Sequence, residues 1–235
     1  MSQATQTQPP ARLPGPAAGV AAGATAPDLL YSEEETALRE AVRALLTDQA
    51  GWREVLARTE SGHAYDTELW RKLAGQVGCA GLLVPETAGG AGASYREAAV
   101  VAEELGRFAA AVPFLGSAVV ATTALLAAGG DELLADAAAG AVTVALAVPF
   151  ATVPGSRPAP TVRIDGPAAG DAAGTYRLTG TVTGIADALT ADVLLVPADG
   201  VPYGLYAVRV DEAGVTVAPV SSLDMTRQLC DVTLE

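Results

Sequence analysis

The stretch at residues 69–107 decides the fold and reads LWRKLAGQVGCAGLLVPETAGGAGASYREAAVVAEELGR. Its first part has apolar residues at helical spacing, and a short apolar run and a glycine-rich turn follow. Its last part has the spacing of a second amphipathic helix. Because glycine permits positive φ and close chain packing, the glycine cluster at 89–92 predicts a tight turn between two helices.

Serine caps predict where two of the helices begin. Ser32 is followed three residues later by Glu35, and Ser94 by Glu97. This is the spacing of a capping box, in which the side chain of each residue accepts a hydrogen bond from the backbone amide of the other. Apolar stripes continue after both boxes. Periodicity and closing glycines predict further helices at residues 66–77, 117–128 and 131–139.

The period of the sequence changes after residue 140. Val142, Val144, Leu146 and Val148 alternate with smaller residues, which is typical of a strand. Further strands are predicted at residues 176–179, 193–196, 205–210, 215–218 and from 229 to the end. The order predicts an α+β fold, with an all-helical domain at 28–140 followed by a small antiparallel β-barrel or sandwich domain at 141–235.

Composition excludes several classes of partner. A chain of 235 residues, half of them apolar, can bury a substantial core. A net charge of -13 with Lys72 as the single lysine argues against nucleic acid, which requires clustered cations. The longest apolar segments fall short of the roughly 20 residues of a membrane span. Residues 1–27 lack the features of a secretory signal and are predicted to be a disordered tail, so we expect a cytoplasmic protein.

The cysteines and the single histidine carry no metal-site or nucleophile pattern. Cys79 and Cys230 are far apart and are expected to be buried thiols in a reducing compartment. His63 has no second histidine and no GxSxG serine to serve, so a surface loop position is expected and no metal site is predicted. A dinucleotide-binding GxGxxG counted from Gly90 fails because Tyr95 occupies its third glycine position.

Several segments together resemble the acyl-CoA dehydrogenase family. The turn LVPETAGGAG at 83–92 and the helix AEELGR at 102–107 resemble that family's N-terminal helical domain. The runs TYRLTGTVTGIADALTADVLLVPA at 175–198 and VSSLDMTRQLCDVTLE at 220–235 resemble its β domain. No one motif is unique to the family, and their joint order over residues 31–235 carries the resemblance. It implies a helical domain, a small β-barrel domain and a following four-helix bundle.

The resemblance implies FAD-dependent oxidation of an acyl-CoA thioester between its α and β carbons. In most members of the family the carboxylate base lies in the C-terminal helical domain, which we expect this chain to lack. No catalytic residue is therefore predicted, and the chain is expected to be inactive without that domain or a partner. Glu103 and Glu104 are neighbours on a helix that point in different directions, and we expect a solvated face or local ion pairs there.

Two segments align with the family's flavin contacts. They assign cofactor binding to the backbones of Ala147, Val148, Gly184, Ile185 and Ala186. The side chains depart from the family pattern, since only the proline of the first motif is retained and the second lacks its aromatic residue and hydroxyl. Backbone amides can donate whatever the side chain is, so FAD contact and ordinary strand ends both remain open at these positions.

The alternative function is that of a non-catalytic subunit or fragment which completes a hetero-oligomer through the face that the bundle normally covers. A homo- or hetero-oligomer is therefore expected, with an acyl-CoA as the small-molecule partner. Asp224, Thr226 and Arg227 match a family segment in which we expect a turn or domain contact. For Arg227 an ion pair and a contact with a CoA phosphate remain open.

Overall fold

Amphipathic segments in the first half of the chain fold into helices around a shared core. The computed structural model describes residues 29–63, 65–153, 155–156, 160–166, 176–200 and 204–235. The predicted tail at 1–27 lies outside these residues, and Ser32–Glu235 form one compact unit. The helices within the described residues are α1 (Glu33–Gln49), α2 (Trp52–Thr59), α3 (Thr67–Gln76), α4 (Tyr95–Arg107), a π-helix (Phe114–Ala121), α5 (Thr122–Ala128) and α6 (Asp131–Ala138).

Both predicted capping boxes are confirmed. The amide of Glu35 donates to Ser32 Oγ at 3.0 Å, and the amide of Ser32 donates to Glu35 Oε2 at 2.7 Å. Ser94 and Glu97 form the same reciprocal pair at the start of α4. Such bonds satisfy amides of the first helical turn that have no partner within the helix.

The glycine-rich turn between α3 and α4 is also confirmed. It contains two single 3₁₀ turns, Cys79–Gly81 and Glu86–Ala88. Gly89 closes the second turn with φ of 85°. A Cβ at Gly90 would collide with the backbone carbonyl of Val84, so only glycine fits at that position.

Two helical segments differ from the predictions. Helix α2 has no predicted counterpart, although its Trp52, Val55 and Leu56 have helical spacing; it is only eight residues long, and none of its residues is buried. The helix predicted at 117–128 begins earlier and is π-helical in its first part. Both the amide and the hydroxyl of Thr122 donate to the carbonyl of Ser117, five residues back. A segment that is apolar on every face gives no period from which such a change of winding could be predicted.

The second half of the chain forms one mixed sheet. Its order is β1-β4-β2-β3-β7-β6, and β5 pairs with β4. The pairs β1–β4 and β2–β4 are parallel, and the other pairs are antiparallel. The strands are β1 (Val144–Leu146), β2 (Val162–Asp165), β3 (Arg177–Ala186), β4 (Val193–Gly200), β5 (Gly204–Arg209), β6 (Val215–Val220) and β7 (Leu229–Leu234).

The predicted α+β class, with helices preceding a β domain, is confirmed. The sheet itself differs from an antiparallel barrel or sandwich, since it is mixed and its described strands do not close. Because β5 occupies one edge of β4, β1 and β2 both lie along the other. Alternation identifies a strand but not its partner, so these parallel pairings were not predictable locally. The division into domains at 28–140 and 141–235 stays a prediction.

Among the described residues, three apolar clusters hold the unit together. One lies among α1, α3 and α4, and a second lies within the sheet. The third joins helices to strands, because Leu125 and Leu134 of α5 and α6 pack in the same cluster as Val144 of β1 and Leu195 of β4. The helices and the sheet therefore meet through a buried apolar core.

A buried ion-pair network joins α1 to α4. Glu104 is 1% exposed and accepts hydrogen bonds from Arg43 at 2.8 Å and 2.6 Å and from Arg39 at 2.9 Å. The bonds from Arg43 are the largest cause that lowers the pKa of Glu104, against the opposing effect of burial. Glu103 pairs with Arg39 from the exposed side. Both glutamates thus form ion pairs, but with arginines of a helix distant in the sequence instead of local partners, and Glu104 is buried where a solvated face or a local pair was expected.

Replacing Glu104 tests how much this network contributes. We expect Glu104→Gln to lower the free energy of unfolding by about 3 kcal/mol at neutral pH, because two arginines lose their buried anionic partner. The matched change Glu103→Gln should cost less than about 1 kcal/mol, since that pair is exposed. Because the pKa of Glu104 is lowered by folding, its contribution is present above the unfolded pKa and is lost as pH falls through the folded one. Urea unfolding at several pH values measures both effects, and equal costs for the two variants would contradict the account.

Candidate functional site

An apolar cleft lies between the π-helix, the segment after β1 and the end of β3. It consists of two adjoining pockets of about 300 and 310 Å³ that share Leu115, Phe150 and Ala186. We call the first the β-side pocket and the second the helix-side pocket. The β-side pocket is lined further by Gly116, Val120, Leu146, Val148, Pro149 and Thr152. The helix-side pocket is lined further by Ala102, Leu105, Val112, Phe114, Asp187 and Arg227, with Gln228 and Leu229 at the start of β7.

Asp187 places a buried carboxylate beside the helix-side pocket. It is 7% exposed and directly follows β3. The hydroxyl of Tyr65 donates to its Oδ1 at 2.7 Å, and the amide of Gly116 donates to its Oδ2 at 2.8 Å. The same Tyr65 hydroxyl lies 3.2 Å from the carbonyl of Gln228. One side chain therefore connects the segment before α3, the π-helix and the sheet.

Local backbone geometry positions this carboxylate. Asp187 has φ of 60°, a left-handed conformation that is uncommon for a residue other than glycine, and it precedes the 3₁₀ turn Ala188–Thr190. Gly116 lies in the first turn of the π-helix, where amides have no partner within the helix. A Cβ at Gly116 would lie 2.6 Å from Asp187 Oδ2, so a larger residue would displace the carboxylate.

Burial dominates the electrostatics of this group. Desolvation raises the pKa of Asp187, while the hydrogen bonds from Tyr65 and Gly116 and the charge of Arg227 oppose the increase. Burial, followed by the charge of Asp187, also raises the pKa of Tyr65 far above its usual range. Tyr65 is consequently a neutral donor, and Asp187 holds a proton more readily than an exposed aspartate does.

The five predicted cofactor-binding residues lie close together at this cleft, in three kinds of environment. Val148 and Ala186 line the pockets. Ala147 and Ile185 are buried in the apolar cluster of the sheet. Gly184 lies in a strand irregularity with φ of 65° and accepts a hydrogen bond from the amide of Phe150.

Three of these five residues use their amides within the protein. The acceptors are the carbonyl of Leu195 for Ala147 at 2.8 Å, the carbonyl of Leu146 for Val148 at 2.9 Å, and Asp231 Oδ1 for Gly184 at 2.9 Å. These amides do not fit the role of donors to a flavin, because each would have to give up a bond already made. The apolar walls at Val148 and Ala186 fit an apolar group.

The two cysteines and the single histidine lie in environments typical of structural residues. Cys79 and Cys230 are free and buried, as predicted, and burial raises the pKa of the Cys79 thiol to about 12. His63 is exposed. Within the described residues no group of three or more His, Cys, Asp and Glu side chains could hold a metal ion. No helix in the same part of the chain is both long and apolar enough to cross a membrane.

The segment containing Arg227 contacts the helical half. Asp224 Oδ1 accepts bonds from the amide and the hydroxyl of Thr226, which forms a local turn. Arg227 Nη1 donates to the carbonyl of Ala110 at 2.9 Å. The observed polar contacts of Arg227 are thus to backbone carbonyls, and they join the start of β7 to the loop after α4.

Sequence reasoning missed Asp187, Tyr65 and Gly116. The available signal was weak. Asp187 is a single acid after the apolar end of β3, and the segment ALTAD separates it from the next strand. A buried acid needs partners, which would have made it a candidate. Its partners are 122 and 71 residues away in the sequence, so the sequence alone could not name them.

Comparison with known proteins places this geometry within a family. Residues 32–141 match the acyl-CoA dehydrogenase N-terminal domain. The acyl-CoA dehydrogenase IpdE2 of Mycolicibacterium smegmatis is 47% identical over 110 residues, which are 47% of this chain and 35% of that protein. Residues 32–141 therefore belong to the acyl-CoA dehydrogenase N-terminal domain family, and the chain spans about a third of this relative's length.

Solved structures share the arrangement of helices and sheet. The ChsE4-ChsE5 complex from Mycobacterium tuberculosis superposes with a TM-score of 0.72 at 27% identity, over 88% of this chain and 55% of that chain. An acyl-CoA dehydrogenase from Bacillus anthracis, solved in complex with FAD, gives a TM-score of 0.64 at 22% identity, over 87% of this chain and 36% of that chain. The second likeness is one of fold alone.

Removing the charge of Asp187 should change how stability depends on pH. Because its folded pKa is raised, Asp187 favours the folded state most below its unfolded pKa, and this contribution is lost as pH rises through the folded pKa. An asparagine at this position could accept from Gly116 through its amide oxygen and donate to Tyr65 through its amide nitrogen. We therefore expect Asp187→Asn to gain stability relative to the native chain as pH rises, by about 1.4 kcal/mol for each unit by which the pKa is raised.

Urea unfolding from acid to neutral pH measures this difference. Asp199→Asn is the matched control, since Asp199 is exposed and its change should leave the pH dependence as it is. Tyr65→Phe should destabilise the fold by about 1–3 kcal/mol, because a buried carboxylate loses a donor. A difference between Asp187→Asn and the native chain that stays constant with pH would contradict the assignment.

Proposed function

We propose that this chain forms the acyl-binding wall of an acyl-CoA dehydrogenase that oxidises an acyl-CoA thioester between its α and β carbons with FAD. The observation that carries the proposal is the apolar cleft between the helices and the sheet. Its two pockets together provide about 610 Å³, the sum of 300 and 310 Å³. That volume lies within the range of roughly 300–1,000 Å³ typical of small-molecule sites.

The side chains around the cleft suit an acyl group better than a polar ligand. Leu115, Val148, Phe150 and Ala186 supply apolar surface, and burial of such surface is worth about 25 cal/mol per Å². Polar lining groups are concentrated at one end, where Asp187 and Arg227 lie. The chain's own contribution would be to bind the apolar part of the substrate, exclude water and fix its orientation.

FAD would supply the redox step by accepting the hydride that leaves the β carbon. The amides of Ala147, Val148 and Gly184 are engaged within the protein, so any contact of this chain with the flavin would rest on the cleft walls at Val148 and Ala186. We propose these two as the cofactor-facing residues. Ala147, Gly184 and Ile185 would support them from behind.

The proposed activity belongs to an assembly in which the cleft is covered. Leu115, Phe150 and Val153 are 45%, 58% and 68% exposed, and they cluster at or next to the cleft. Exposed apolar side chains grouped in this way are typical of surfaces that meet another domain or chain. We propose that a further helical domain or a partner subunit covers them. Location in the cytoplasm stays a prediction.

Acyl binding can be tested with a charge placed in the cleft. We expect Leu115→Asp to weaken the binding of octanoyl-CoA by about 10-fold or more, because a leucine that becomes covered by the acyl chain on binding contributes about 1.5–3 kcal/mol before any charge penalty. Leu223→Asp is the matched control, because Leu223 is fully exposed outside the cleft, and its affinity should equal that of the native chain. Isothermal titration calorimetry measures both. Equal affinities for all three proteins would contradict binding in this cleft.

A second candidate function is that of a non-catalytic subunit in a hetero-oligomer. The observation that favours it is the engagement of the three amides at the positions assigned to flavin contact. The structural likeness to a ChsE4-ChsE5 complex supports a partner of related fold. In this role the chain would shape the acyl cleft while another subunit holds the flavin.

Titration with FAD distinguishes the two candidates. In the leading proposal the purified chain takes up FAD with quenching of flavin fluorescence, and Ala186→Trp prevents uptake. In the second candidate neither protein takes up FAD, and light scattering shows self-association through the apolar cleft surface. A monomer at high protein concentration that also takes up no FAD would contradict both accounts.

A further inference from the structure

We propose that occupation of the helix-side pocket by an uncharged apolar ligand is coupled to proton uptake at Asp187. The proposal concerns the cavity, the carboxylate beside it and the two groups that hold that carboxylate. It goes beyond the proposed function, because it requires neither flavin nor CoA. Its result is a cleft whose affinity for apolar ligands rises as the solution becomes more acidic.

The hydrogen bonds around Asp187 can be complete in both protonation states. Tyr65 has a single hydroxyl proton and two acceptors, Asp187 Oδ1 at 2.7 Å and the carbonyl of Gln228 at 3.2 Å. With Asp187 ionised, Tyr65 donates to the carboxylate. With a proton on Oδ1, Asp187 donates to the Tyr65 oxygen, and the tyrosine proton turns to Gln228.

The third contact is unaffected by this exchange. The amide of Gly116 donates to Oδ2 at 2.8 Å whether or not Oδ1 carries a proton. The π-helix therefore stays attached to the sheet in both states. Because no buried donor or acceptor is left unsatisfied, protonation of Asp187 does not carry the cost of a broken bond.

A ligand in the pocket changes the balance between the two states. Asp187 is one of the residues that line the helix-side pocket, where its neighbours include Leu105, Phe114 and Leu229. An apolar ligand displaces water from this lining and lowers the local dielectric constant. A lower dielectric constant disfavours the ionised carboxylate, so the ligand favours proton uptake. By linkage, protonation must strengthen ligand binding to the same extent.

The charged groups around Asp187 do not cancel this effect. Arg227 is the cation that attracts it, and this attraction opposes proton uptake. Arg227 is exposed and directs Nη1 to the carbonyl of Ala110, which limits its hold on the carboxylate. Tyr65 is neutral, and burial together with Asp231 raises the pKa of Cys230 to about 11, so that this thiol is neutral as well. The π-helix brings no charged side chain to Asp187, because its sequence is FLGSAVVA.

The test uses the full chain and Nile red, a neutral dye whose fluorescence rises in apolar surroundings. We expect its affinity to fall several-fold as the pH rises from about 4, the usual range of an aspartate, through the raised pKa of Asp187, with a slope of at most about tenfold per pH unit for one coupled proton. Asp187→Asn resembles the protonated carboxyl group, so it should bind as tightly as the native chain at acid pH and show no pH dependence. Arg227→Gln should shift the fall in affinity to higher pH.

Two further variants locate the effect. Ala102 is exposed on α4 and lines the helix-side pocket, so Ala102→Trp should fill the pocket without disturbing the core and abolish dye binding. Asp199→Asn, an exposed aspartate outside the cleft, should reproduce the native pH profile. The proposal is overturned if the native affinity is independent of pH, if Asp187→Asn keeps the native profile, or if Ala102→Trp binds the dye normally. None of these outcomes depends on FAD or acyl-CoA, so failure here leaves the dehydrogenase proposal to its own tests.

Discussion

The arrangement of the cleft depends on the hydrogen bonds that the carboxylate of Asp187 accepts. This residue receives hydrogen bonds from Tyr65 before α3 and from Gly116 in the π-helix, while its own backbone directly follows β3. Two of these segments, the π-helix and the end of β3, also supply walls of both pockets. Since a carboxylate away from water is costly unless its oxygens are satisfied, the donors must stay in place for the fold to keep this acid. The requirement fixes the π-helix against the sheet at the point where a ligand would lie.

A comparison of the two buried acids shows how environment sets their chemistry. Glu104 is held by two arginines, and the pKa of its carboxyl group is lowered. Asp187 has neutral hydrogen-bond donors, with the charge of Arg227 as a smaller influence, and its pKa is raised. Paired charge favours ionisation, whereas burial among neutral groups opposes it. Glu104 is therefore a structural anion, whereas Asp187 is an acid beside the cleft whose ionised form is disfavoured by burial.

Family membership and local geometry provide different parts of the functional account. The match over residues 32–141 and the shared fold define the family, while the chain covers only part of the length of the proteins it resembles. The cleft provides the features that are particular to this sequence. Its walls are apolar, and the amides of Ala147, Val148 and Gly184 are occupied by acceptors in the protein. Together they support the proposal that the chain holds the acyl part of a substrate, in which any flavin contact would lie at Val148 and Ala186.

Features that depend on neighbours within a few residues could be predicted from the amino-acid sequence alone. The capping boxes at Ser32 and Ser94, the turn at Gly89 and the change from helical to strand period all follow from local backbone chemistry, and they suffice for the α+β class. The tertiary structure alone decided the parallel pairing of β1 and β2 with β4, the π-helical winding and the partners of Asp187. Each of these depends on contacts between residues distant in the chain, or on packing around a segment that is apolar on every side. A single sequence contains no pattern that specifies such contacts, because many partners would satisfy the same apolar or hydrogen-bonding requirement.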